Sequence, residues 1–179
     1  MHTGKPLLYQ FIYNFIVIAL SEENFKFLTF KRVLVKNDYP CSWLDISVLM
    51  TITGIGFGLI ESVVYAIDAS VPVVLVRGLC LAHAGYGFVT GYFYGKGLKT
   101  DKNFDKWFGF ILSCILHGLY DFSLSKEYVE INENLMFVAL GLAVLGILLV
   151  INLIVFVRKR KQDEFYIQPI ADIKGQSPL

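Results

Sequence analysis

Long apolar runs alternate with short polar stretches along most of this chain. Five runs, near residues 7–30, 43–67, 71–95, 104–124 and 135–157, are each more than 20 residues long. A helix needs roughly 20 predominantly apolar residues to cross a bilayer. The pattern therefore predicts an all-α fold, a polytopic membrane helix bundle of about five transmembrane helices.

The composition agrees with a membrane protein of one module. Hydrophobic residues make up 55% of the 179 residues and charged residues only 17%, with a mean hydropathy of +0.58. Soluble domains are usually about 45–50% apolar. We expect a single transmembrane helical domain over residues 1–161, with its functional core at 20–124, and a short cytoplasmic tail at 162–179. The lipid bilayer is the expected partner, and the net charge of +1 gives no reason to expect nucleic acid.

Basic residues are concentrated in every second connection, which predicts the orientation of the chain. Lys31 and Arg32 follow the first run, four lysines lie in or near the third connection, and a basic stretch at 158–161 follows the last run. Cytoplasmic loops are enriched in lysine and arginine. We therefore expect a multi-pass protein of a prokaryotic cytoplasmic membrane, with its N-terminus outside and its C-terminus in the cytoplasm.

Six candidate acidic or histidine residues lie within the first four apolar runs, more than two residues from either end. Ionisable groups in hydrocarbon cost several kcal/mol unless they are paired, coordinated or facing water, so they are functional candidates by default. A helical rise of about 1.5 Å per residue places the six within one or two turns of the same depth. Their convergence would form either a metal site or a proton path. The six residues are Glu22, Glu23, Glu61, His83, His117 and Asp121.

Two of the four motifs present carboxylates. Glu22-Glu23-Asn24-Phe25-Lys26 reads E-E-x-x-K, where the four-residue spacing puts Glu22 and Lys26 on one helix face and Glu23 on a neighbouring face. In the second run, Phe57 and Glu61 read F-x-x-x-E. Glutamate is too short to reach the interface from there, so Glu61 should face a partner or water.

The other two motifs present histidines. His83 is followed at four-residue intervals by Gly87 and two further glycines, so another backbone can pack close beside it. Arg77, nearer the outer end of that run, could snorkel or pair with a carboxylate. His117 and Asp121 read H-x-x-x-D, one turn apart, so Asp121 is either a second metal ligand or the acceptor that orients the histidine.

Imidazoles and carboxylates together suit zinc, and an open coordination position would let the ion activate water. A carboxylate that does not bind the metal could then act as general base. The same residues could instead serve a small cation or proton transporter, or remain in a non-catalytic membrane scaffold.

In this order on successive runs, the four motifs resemble the PrsW family of intramembrane metalloproteases, distant relatives of the CAAX prenyl proteases and the bacterial Abi family. The resemblance covers roughly residues 22–121. It implies a zinc-dependent endopeptidase that cuts a single-pass membrane protein, as in the regulated proteolysis of an anti-sigma factor. It further implies that Glu22 and Glu23 are catalytic and that His83 and His117 are central to the metal site, with Glu61 and Asp121 as further metal-site residues. Lys26, Phe57, Arg77 and Gly87 are the expected supporting residues.

Overall fold

The computed structural model describes residues 6–36, 42–68, 81–125 and 134–159. Within them the fold is all-α, as expected. The elements in chain order are α1 (Leu7–Ile12), a π-helical segment (Tyr13–Leu20), α2 (Ser21–Lys36), α3 (Trp43–Asp68), α4 (Leu81–Thr100), α5 (Asn103–Ser123) and α6 (Leu135–Arg158).

The first three elements follow one another without a loop, because the residues at both junctions keep right-handed helical dihedrals. The helical unit continues to residue 36, six residues beyond the predicted end of the first span. Its eight-residue π-helical segment ends at Leu20, two residues before Glu22. Such segments are rare and occur frequently at functional sites. Hydropathy carries no signal for this change of winding.

The pair formed by α3 and α4 has the most extensive helix contact in the bundle. A Cβ on Gly91 would lie 2.8 Å from the Cα of Ser47, and one on Gly95 would lie 2.8 Å from the Cα of Trp43. Gly54 of α3 lies directly against the backbone carbonyl of His83. The predicted close approach at the glycine stripe is therefore confirmed. It lets the two helices pack at backbone distance.

A tight connection places α5 beside α4. Asp101, with a φ of 52°, adopts the left-handed conformation that aspartate tolerates better than most residues. Further along, the Thr90 hydroxyl donates to Ser113 Oγ, and Ser113 donates to the Tyr86 carbonyl, each at 2.8 Å. These buried bonds join the two helices at the level of the functional residues.

The outer surface of the bundle is strongly apolar. Most large apolar side chains of α6 are exposed, and the helix touches α4 where Gly85 and Gly146 meet. Two helical stretches among the described residues, Trp43–Val64 and Leu135–Arg158, are each long and apolar enough to span a membrane. The other helices carry more of the charged residues. Exposed apolar side chains at this density suit contact with lipid.

Candidate metal centre

Four helices bring all six predicted ionisable residues into one site. Glu22 and Glu23 come from the first turn of α2, Glu61 from the second half of α3, His83 from the start of α4, and His117 with Asp121 from the last turns of α5. The two imidazole rings lie 5.0 Å apart between centroids, at 84° to each other. The structure therefore brings together the residues that the sequence predicted to converge.

Lys26 is fully buried at the centre of this site. Its ammonium lies 2.7 Å from Glu23 Oε1, three residues earlier, and 3.8 Å from Glu22 Oε2. It also lies 4.3 Å from the centroid of the Phe57 ring. Sequence spacing predicted Glu22 as the partner on the same face, but the closer ion pair is with Glu23. Neither Glu23 nor Lys26 exposes any of its side chain, so each provides the compensation that the other needs.

Lysine and glutamate hold the two ring nitrogens of His83. Lys26 Nζ lies 2.8 Å from Nδ1, and Glu61 Oε2 lies 2.5 Å from Nε2. An ammonium only donates hydrogen bonds, so Nδ1 accepts and the ring proton is on Nε2, where it is donated to Glu61. Binding a metal through Nε2 would require Glu61 to give up this bond.

His117 has the opposite arrangement. Its Nδ1 lies 2.8 Å from Glu23 Oε1, and a carboxylate only accepts, so Nδ1 carries a proton. Its Nε2 lies 3.2 Å from Asp121 Oδ2 and 3.7 Å from Glu22 Oε2. A carboxylate that fixes the far nitrogen of a histidine is the usual support for a metal-binding imidazole. His117 is therefore oriented to offer Nε2 to a metal.

The residues around Nε2 of His117 fit a cation. Two carboxylate oxygens and a ring nitrogen converge there, and within the described structure the buried Glu22 Oε2 has no hydrogen bond. Acceptors that face one another away from water need a proton or a cation between them. Ligand atoms of Glu22, His83 and His117 all lie within 4.8 Å of one another. Tetrahedral zinc holds such atoms roughly 3.4 Å apart, so distances between ligand atoms must shorten by up to about 1.4 Å.

Two of the expected supporting residues, Phe57 and Gly87, contact neighbouring helices. Phe57 packs its ring edge-on against His83, at 5.6 Å, as well as under Lys26. Gly87 lies against the backbone of Met50 in α3. Arg77 lies outside the described residues.

Sequence reasoning missed Tyr86. Its ring stacks on that of His117 at 5.2 Å and 19°, and meets His83 edge-on at 5.9 Å. The signal was available, because Tyr86 follows His83 by three residues and so shares its helix face. An aromatic residue in an apolar run resembles ordinary core, which is why the spacing alone did not distinguish it.

The family model for PrsW family intramembrane metalloproteases matches residues 2–157. The chain belongs to this family. The resemblance noted in the four motifs is therefore confirmed, and the chain is a membrane protein. No solved structure matches it.

Curated relatives of this PrsW-family chain share the name Protease PrsW. That of Oceanobacillus iheyensis is 34% identical over 119 residues, covering 64% of this chain and 55% of the relative. That of Geobacillus kaustophilus is 27% identical over 170 residues, covering 91% and 70% respectively. A third, from Halalkalibacterium halodurans, is 30% identical over 142 residues, covering 73% and 64%. The chain spans about half the length of the first of these relatives.

Proposed function

We propose that this chain is a zinc-dependent endopeptidase that hydrolyses a peptide bond within the membrane. The observation that carries the proposal is the environment of His117. Glu23 fixes one ring nitrogen, and the other faces Glu22 and Asp121 beside His83. Nitrogen and carboxylate donors suit zinc. His83 and His117 would hold the ion, with Glu61 and Asp121 binding it or orienting the histidines.

Glu22 is the stronger candidate for the general base. Its side chain is 23% exposed, whereas that of Glu23 is fully buried between Lys26 and His117. A base must reach water to take a proton from it. Glu23 instead keeps the Nδ1 proton on His117 and compensates the charge of Lys26. When bound, zinc would polarise the attacking water and the peptide carbonyl.

The proposed substrate is a single-pass membrane protein, in the manner of an anti-sigma factor. Six ionisable groups surrounded by an apolar exterior suit a peptide that arrives from the bilayer. Its helix must unwind locally at the site, because a helical carbonyl is already hydrogen-bonded within the helix. We further propose that the N-terminus is outside and the C-terminus cytoplasmic, from the distribution of basic residues.

Metal content measured by mass spectrometry on detergent-purified protein tests the site. We expect near-stoichiometric zinc in the wild type and in Glu22→Gln, and its loss in the His83→Ala/His117→Ala double variant. Circular dichroism would establish that each variant keeps its helices. Absence of bound metal from folded wild-type protein would overturn the zinc site and favour the proton path.

Peptidase activity needs a separate measurement. Wild-type protein and Glu22→Gln, each zinc-loaded, would be reconstituted with solubilised membrane proteins of the host, and new N-termini would be mapped by mass spectrometry. We expect cleavage within single-pass segments by the wild type alone. Equal cleavage by Glu22→Gln would show that Glu22 is not the general base. Absence of cleavage by the zinc-loaded wild-type protein would contradict the proposed endopeptidase activity.

A further inference from the structure

Tyr86 has a buried hydroxyl with no hydrogen bond among the described residues. Only 3% of the residue is exposed, and its Oη is shielded from solvent. Buried tyrosine hydroxyls usually find a partner, since an unmet donor costs roughly 1–3 kcal/mol. A phenylalanine would fill the same apolar space without this cost. The hydroxyl therefore suggests a partner that arrives from elsewhere.

The ring of Tyr86 lies beside the proposed metal centre. Tyr86 stacks on His117 and stands edge-on to His83, the two imidazoles proposed to hold the ion. The charges of Asp121, Glu23 and Glu61 all act on its hydroxyl. Its own backbone carbonyl is held by Ser113, so the helix is fixed at this residue.

We propose that Tyr86 is a catalytic residue whose hydroxyl donates a hydrogen bond to the carbonyl oxygen of the scissile peptide. This inference rests on the proposed peptidase function. When water adds to the carbonyl carbon, the C=O electron pair moves to oxygen while Glu22 takes the proton of the water. A preorganised donor at that oxygen stabilises the developing charge. The carboxylates nearby cannot serve, because they only accept.

Kinetics of Tyr86→Phe test this role. The substrate is a peptide that contains a cleavage site identified by the mapping of new N-termini. The variant keeps the ring on His117 and removes one oxygen. We expect kcat to fall by about 10²–10³-fold, the loss usually seen when one such donor is removed, while zinc content and KM stay within about twofold. A kcat within twofold of wild type would overturn the proposal.

Tyr94→Phe is the matched control. Tyr94 lies on the same helix two turns further on and is comparably buried, but its ring packs edge-on against Phe27 and Phe30 rather than a histidine. Its loss of a hydroxyl should leave kcat unchanged. A fall equal to that of Tyr86→Phe would mean that both act through packing, and would also overturn the proposal.

A binding measurement separates this inference from the peptidase function. Octanohydroxamate, a metal-binding probe with a carbonyl oxygen, would be titrated calorimetrically into the three zinc-loaded proteins in detergent. Because Tyr86→Phe lacks one hydrogen bond to the probe, it should bind the probe about three- to tenfold more weakly than the wild type. Tyr94→Phe should bind it as the wild type does. Equal affinity of all three overturns the role of Tyr86 and leaves the peptidase standing. The expected difference without any peptide cleavage overturns the peptidase, and with it the catalytic role, and leaves Tyr86 as a hydrogen-bond donor to the bound probe.

Discussion

Glu22 and Glu23 are neighbours in the chain but have different surroundings. Glu23 is fully buried and lies 2.7 Å from Lys26 and 2.8 Å from His117, whereas Glu22 is 23% exposed and lies 3.8 Å and 3.7 Å from the same two residues. The helix produces this difference, because successive residues point about 100° apart. A buried ion pair contributes most visibly when one partner is removed, since the other is left uncompensated.

Amide substitutions should separate the two roles. Glu23→Gln removes the nearest carboxylate of the buried Lys26 and is expected to destabilise the protein by about 3 kcal/mol. Glu22→Gln weakens only the longer contacts to Lys26 and His117, at 3.8 and 3.7 Å, and should change stability by less than about 1 kcal/mol while abolishing peptide cleavage. Unfolding in detergent, followed by circular dichroism, measures the stability of the two variants. Equal stability losses in the two variants would contradict the assignment of Glu23 as the positioning residue.

At the scale of elements, the contact of α3 with α4 controls the position of His83. Gly54 lies directly against the carbonyl of His83, whereas a Cβ on Gly56, two residues later on the same helix, would meet nothing within 4 Å in the described structure. An added methyl group therefore has opposite consequences at these two positions. At Gly54 it must push a backbone, not a flexible side chain.

Gly54→Ala should displace the start of α4 and with it His83. We expect a loss of about 1–3 kcal/mol of stability and a reduced zinc content. Gly56→Ala should keep full zinc content and change stability by less than about 1 kcal/mol in either direction, since alanine favours helix. Unfolding measurements and metal analysis on the two variants decide the matter. Normal zinc content in Gly54→Ala would contradict the claim that the contact between α3 and α4 controls the position of His83.

The helices and the site differ in how far the sequence predicts them. Long apolar runs locate α3, α5 and α6 to within one residue, because the bilayer requires that length, but α2 and α4 end six and five residues beyond the prediction. The predicted start of the third run, at residues 71–80, lies outside the described residues. Residue spacing identifies the ionisable cluster. The sequence did not predict which glutamate forms the closer ion pair with Lys26, since both Glu22 and Glu23 lie within reach of it on one helix. Tyr86 was also missed. Its role depends on contact with His117, which only tertiary packing creates.

At the scale of the whole molecule, the bundle joins a polar interior to an apolar exterior. His117, Glu23 and Lys26 are almost wholly buried, while apolar side chains cover the outer faces of the helices. Without a hydrophobic driving force between helices in lipid, close packing and polar contacts must hold the bundle together. The site therefore has a structural as well as a chemical role, and substitutions in it should be checked for folding as well as for activity.

The proposed orientation places the N-terminus of α6 outside and its C-terminus in the cytoplasm. Single cysteines at Asn134 and Lys159, which flank α6 and are both exposed, report on the two sides. Each would be introduced after the three native cysteines are replaced by alanine. A membrane-impermeant maleimide should label Asn134→Cys in intact cells, and Lys159→Cys only after permeabilisation, because the basic residues after α6 favour the cytoplasm. The reverse labelling pattern would contradict the proposed orientation and would mean that the basic connections lie outside the cell.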